Sequence, residues 1–193
     1  MKKEIRVIAE IAILVGLALV FDVIAGLFSP FRYGGSISPA MLPIFIIAYR
    51  RGLKSGLFAG LIFGVLQAIL AEAFGYGVFA FIIDQGWWKF ILMFILDYIL
   101  PFTLLGLAGI FKNGLTNRKS FILGISLGSL LRYISHGISG VLIWDYYAGL
   151  AGMNPWFYSF IAYNLPYMAA SYAFCLIIGL ILFNRKVWSY NLD

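Results

Sequence analysis

Six apolar runs, with nearly all the cations in alternate gaps between them, leave this chain few folds to choose from. The runs cover about residues 7–28, 40–50, 53–73, 87–111, 120–144 and 156–184. Most exceed the roughly 20 residues that a helix needs to cross about 30 Å of hydrocarbon. Lipid cannot satisfy backbone polar groups, so such runs must be helical unless protein surrounds them. Hydrophobic residues make up 63% of the 193 and charged residues 11%, too few charges to cover a water-soluble domain of this size. The expectation is an all-α integral membrane protein, a six-transmembrane-helix bundle forming one membrane-embedded domain over residues 1–193.

The cations set its orientation. Of 14 Lys and Arg, the N-terminus, alternate gaps and C-terminus hold Lys2, Lys3, Arg6, Arg50, Arg51, Lys54, Lys112, Arg118, Lys119, Arg185 and Lys186. Arg32 and Lys89 fall on the other side, and Arg132 lies within a span. The positive-inside rule then puts both termini in the cytoplasm. Net charge +6 reads as attraction to anionic headgroups rather than to nucleic acid. The first run is too long for a signal-peptide core and reads as a retained helix. Cys175 is the only cysteine, which excludes a disulfide framework and argues against a metal cluster.

The second run is short. Pro39 and Pro43 bracket its start in GGSISPAMLPIF, which fits either a short helix whose outer end unwinds inside the protein or an ordinary loop before a helix. Gly34, Gly35 and Ser36 make the same stretch a candidate lid.

Ionisable residues inside spans are costly and usually functional or paired. At 1.5 Å per residue, Asp97 lies roughly 15 Å from the outer end of the fourth span, His136 roughly 13 Å from that of the fifth, and Asn164 roughly 12 Å from that of the sixth. An acid, an imidazole and an amide at one depth suggest an outward-facing pocket. Arg132, His136, Gly140 and Trp144 repeat every fourth residue and share a helix face. Gly140 leaves a notch there for a flat ring. Trp87, Trp88, Tyr98, Trp156, Tyr158, Tyr163 and Tyr167 add aromatic surface near that level. Rings around a carboxylate suit a planar cation. The bland alternatives are an interfacial belt for Trp87, Trp88, Tyr147 and Trp156, and a purely structural Asp97–Arg132 pair. Asp22 and Glu72 read as interfacial. No HExxH, CxxC or P-loop pattern occurs, so an enzyme is not expected.

Three stretches resemble the thiamine-specific substrate-binding (S) components of energy-coupling factor vitamin transporters. They are GGSISPAMLPIFIIAYRRGLKSGLFAGLIFG, LDYILPFTLLGLAGIF, and RYISHGISGVLIW with WFYSFIAYN. The resemblance implies thiamine as ligand, no cofactor, and a prokaryotic plasma-membrane location. It implies a binding set of Asp97, Tyr98, His136, Gly140, Trp144, Tyr158 or Tyr163, and Asn164, with Tyr33 as the aromatic of the first outer loop. Asp97 stands where the family has Glu, and YSFIAYN is one residue longer than the usual spacing. The implied partner is a module of two ATPases and a transmembrane coupling protein, met by a small-residue face on the first helix that includes Ala12 and Gly16. Small residues that only pack the first helix within its own bundle are the competing reading. The rival functions are a site for another vitamin or a thiamine precursor, and a structural membrane protein without a ligand.

Overall fold

The computed structural model describes residues 3–31, 35–74, 78–111 and 115–184. Among them are helices α1 (Lys3–Leu27), α2 (Met41–Arg51), α3 (Leu53–Ala73), α4 (Val78–Gln85), α5 (Trp87–Met93), α6 (Leu100–Leu105), α7 (Arg118–Leu142), α8 (Asp145–Leu150) and α9 (Leu165–Asn184). A π-helical turn over Phe94–Ile99 joins α5 to α6, and a 3-10 turn over Gly106–Ile110 extends α6. A second π-helical segment, Phe157–Asn164, leads into α9. No strand occurs among the described residues, as the apolar patterning requires.

Among the described residues, five helical stretches are long and apolar enough to cross a membrane: Glu4–Leu27, Leu53–Ala73, Trp87–Ile110, Arg118–Leu142 and Phe157–Phe183. The sixth expected span is α2, only 11 residues long, and protein rather than lipid surrounds it. Met41 through Ala48 are all buried. Its approach, Gly35–Ala40, is not helical, although Ser38 and Ala40 are both about 1% exposed. Irregular backbone at this depth needs partners, and α9 supplies them. Ser38 N donates to Ser171 Oγ at 3.1 Å, Ser171 Oγ donates to Ser36 O at 3.2 Å, and the Cys175 thiol faces Ser38 O at 3.8 Å. The unwound outer end inferred from Pro39 and Pro43 is the reading that the fold adopts.

Around α2 the bundle is tightly packed. Phe45, Phe63, Phe102 and Phe121 are at most 2% exposed. Gly60 and Gly106 let α3 meet α6 and its 3-10 extension almost backbone to backbone. A Cβ at Gly60 would stand 2.2 Å from Phe102 O, and one at Gly106 would stand 2.2 Å from Leu57 N. Small residues permit such approach where lipid offers no hydrophobic drive for helix association. At the basic end of the bundle, Glu10 of α1 accepts from both Arg50 Nε and Arg51 Nε, which fastens α1 to the turn between α2 and α3.

Both π-helical segments stop two residues before a proline, at Leu100-Pro101 and Leu165-Pro166. Proline has no N–H for the carbonyl four residues back, and its ring crowds that carbonyl. Those carbonyls belong to Asp97 and Ala162, each inside a π segment, and the wider turn relieves the crowding. α7 supplies hydroxyls to both segments. Ser135 Oγ donates to Leu96 O at 2.7 Å, and Tyr133 OH donates to Phe160 O at 2.9 Å.

Candidate functional site

At the end opposite the basic turn, the helices enclose a cavity of about 660 Å³. Asp22, Phe31, Gln67, Asp97, Tyr98, Arg132, His136, Gly140, Trp144, Tyr147, Tyr158, Tyr163, Asn164 and Tyr167 are among the residues lining it. Thus the acid, imidazole and amide expected at one depth do face one space.

Asp97 projects from the first π segment into a cluster of donors. Its Oδ1 lies 3.2 Å from His136 Nδ1, and its Oδ2 accepts from Ser139 Oγ at 2.7 Å and Trp144 Nε1 at 2.9 Å. Arg132 Nε donates to His136 Nε2 at 3.3 Å. A guanidinium can only donate, so Nε2 presents its lone pair and Nδ1 carries the proton given to Asp97. The arginine itself is buried, with its guanidinium carbon 4.7 Å from the centre of the Phe102 ring. Asp97 and Arg132 therefore connect through His136 rather than as the direct pair considered from sequence.

α7 carries Arg132, His136 and Gly140 on one face as the spacing dictates, but it ends at Leu142, so Trp144 reaches the cavity from the turn before α8 rather than from the helix face, and Gly140 is not an open notch. A Cβ there would lie 2.0 Å from Ser159 Oγ, which already fills the space and donates to Gly137 O at 2.7 Å. The glycine serves the crossing of α7 with the second π segment. Asn164 braces that crossing: its Nδ2 donates to Ser159 O at 2.9 Å, and its Oδ1 accepts from the Tyr167 hydroxyl.

The extra residue in YSFIAYN has a structural reason. A π turn closes i to i+5, so Tyr158 and Tyr163 fall on one side of the helix. Their rings stack with centroids 6.0 Å apart and planes 18° apart, and both line the cavity. Tyr163 OH accepts from Gly35 N at 3.0 Å, which ties the first outer loop to this wall. Tyr33 lies outside the described residues; the described ring of that loop is Phe31, edge-on to Tyr163 at 6.4 Å and to Tyr167 at 5.6 Å.

Trp87, Trp88 and Trp156 are exposed and belong to the outer surface rather than the cavity. Tyr147, assigned to the same belt from sequence, instead lines the cavity within 6.0 Å of Trp144. Asp22 is likewise no interfacial residue. It faces the cavity and accepts from Gln67 Nε2 at 3.2 Å. Glu72 caps α4 by accepting from Phe79 N at 3.1 Å. Gln67 and Phe31 escaped sequence reasoning, whereas Ser139 carried a local signal, standing three residues from His136 on the same helix. On α1, Ala9 and Ala12 are exposed, and a Cβ at Gly16 would meet no atom within 4 Å. That small-residue face looks away from its own bundle.

Two carboxylates, one guanidinium and a neutral imidazole give the described cavity wall a formal charge of about −1. The wall is otherwise largely aromatic, so a small aromatic cation matches both its charge and its surface.

The profile of the family described as thiamine transporter protein (Thia_YuaJ) matches residues 8–190. The thiamine transporter ThiT of Bacillus subtilis (strain 168) is 34% identical over 192 residues, covering 94% of this chain and 92% of the relative. ThiT of Lacticaseibacillus paracasei is 30% identical over 193 residues, covering 93% of this chain and 88% of the relative. The solved structure of ThiT from Listeria monocytogenes superposes with a TM-score of 0.74 at 27% identity, covering 95% of this chain and 96% of the other.

Proposed function

This chain belongs to the thiamine transporter family, a family of membrane transporters rather than enzymes, and from that premise we propose that it is the thiamine-binding S component of an energy-coupling factor importer. The observation that carries this reading is the aromatic cavity of net negative charge in the half of the bundle away from the basic turn. Thiamine joins a permanently cationic thiazolium to a flat aminopyrimidine. Trp144, Tyr158 and Tyr163 offer ring faces for both. Asp97 supplies the negative charge and, with His136, Tyr98 and Asn164, the polar edges, while Gly140 lets the two helices close behind them. With the basic end in the cytoplasm, both termini are inside and the cavity opens outward.

The sequence contains no P-loop pattern, so energy for uptake comes from a separate module of two ATPases and a transmembrane coupling protein. The outward face of α1 around Ala12 and Gly16 is the contact proposed for that module. Titration of purified protein with thiamine, followed by tryptophan fluorescence, tests the binding reading, because Trp144 lies in the cavity wall. Saturable quenching in the nanomolar range is expected, and no response at micromolar thiamine would overturn it. Ala12→Trp separates the two roles: uptake should fall while the titration stays unchanged, and lost binding would instead indicate damage to the fold.

A further inference from the structure

The cavity has a second acidic wall that the resemblance does not assign. Asp22 comes from the outer part of α1 and Gln67 from α3, whereas the Asp97 cluster is built from the fourth and fifth spans. The two carboxylates differ in how far they are satisfied. Asp97 faces three side-chain donors, while Asp22 accepts one hydrogen bond among the described residues, from Gln67 Nε2 at 3.2 Å. A carboxyl group offers more acceptor sites than this one bond uses, so Asp22 keeps capacity for a donor from a ligand. The bond to Asp22 also fixes the Gln67 amide, since only its N–H side can face a carboxylate. The remaining Gln67 Oε1 is buried and has no donor among the described residues.

Arg132 is linked to both acids. It donates to His136 on the Asp97 side and lies within electrostatic range of Asp22 on the other. Without Asp22, a buried guanidinium beside a roomy cavity would be a ready site for a phosphate. With Asp22 in place, its carboxylate partly offsets that charge.

We infer that Asp22 is a specificity-determining residue: it takes the hydroxyl at the end of the ligand's alkyl arm and, by partly offsetting Arg132, selects the free alcohol over its phosphate monoester. This rests on the thiamine reading above. The arm's O–H donates to an open Asp22 lone pair. A phosphate in the same place brings a charge of about −1.5 to −2 and mainly acceptor oxygens. It would meet the Asp22 carboxylate and Gln67 Oε1, both acceptors.

The test compares binding of thiamine and thiamine monophosphate to the wild-type chain and to Asp22→Asn, with Asp22→Ser as a second neutral variant. Wild type should prefer thiamine. In both variants thiamine should bind a few-fold more weakly and the monophosphate more tightly, so that the ratio of the two dissociation constants shifts by roughly five- to tenfold toward the phosphate. Asp22→Glu, which keeps the charge, should hold the wild-type preference. A ratio unchanged in a folded neutral variant would overturn the inference while leaving thiamine binding intact. A wild-type chain that binds neither compound would overturn the thiamine reading, and this inference with it.

Discussion

The two halves of this bundle solve opposite problems with the same helices. At the basic end, α2 is encased in side chains, Gly60 and Gly106 bring backbones together, and Glu10 holds Arg50 and Arg51. At the other end the fourth and sixth spans break into π turns, the approach to α2 is irregular, and a space of about 660 Å³ stays open. Dense packing needs only small residues at the right spacing. An open polar cavity needs every loosened backbone group to find a partner, because unmet donors and acceptors are expensive away from water. α7 is the helix that meets both demands. Its Gly128 lies against Phe45 in the packed half, while its Tyr133, Ser135 and Ser139 donate to the π segments and to Asp97.

That contrast makes unequal demands on substitutions. The largest effect belongs to the packed half. Gly106→Val places a side chain within 2.2 Å of Leu57 N, with no cavity to absorb it. Loss of more than ~3 kcal/mol is expected, seen as aggregation in size-exclusion chromatography of the detergent-solubilised protein. A monodisperse peak with an unchanged melting temperature would contradict the packing argument.

Asp97→Ala comes next, and its effect falls on binding. It strands the donors of Ser139 and Trp144 and removes the negative charge beside His136. At about 3 kcal/mol for an unpartnered charged cluster, thiamine affinity should drop by about a hundredfold or more. Titration of the variant against wild type checks this, and an unchanged dissociation constant would remove the carboxylate from the site.

Pro101→Ala probes the π turn. It returns an N–H to the carbonyl of Asp97 and favours a regular helix, which would rotate the carboxylate away from Trp144 Nε1. Binding should weaken by roughly tenfold, a shift of about 1.4 kcal/mol, while the melting temperature stays the same or rises. A variant that binds as wild type would show that the turn does not depend on the proline. Smallest of all, Gly16→Ala adds a methyl that meets no atom within 4 Å. Neither melting temperature nor thiamine affinity should move outside error, and a drop in either would place Gly16 in an intramolecular contact.

Several elements were readable one residue at a time. The four-residue repeat of Arg132, His136 and Gly140 marked the α7 face directly, though the helix stops before Trp144, and the convergence of Asp97, His136 and Asn164 on one cavity followed from rise per residue alone. Gly140 shows where such reading stops. Its place on the face was right, but Ser159 of another span fills the space beside it. Asp22 and Tyr147 were misplaced for a similar reason, since nearness to a helix end looks the same from sequence whether that end meets lipid or a cavity. The Leu-Pro steps after each π segment were visible, but they report a loosened turn only once a neighbouring helix is known to supply hydroxyls.

Hydropathy and charge order determined that this chain is a helical membrane protein with one basic end, because each span must satisfy its own backbone and each cation must avoid hydrocarbon. Which side chains meet was decided by tertiary structure alone. The donors around Asp97, the bond between Asp22 and Gln67, and the side-by-side Tyr158 and Tyr163 all depend on the rotation of one helix against another, set by contacts far apart in the chain.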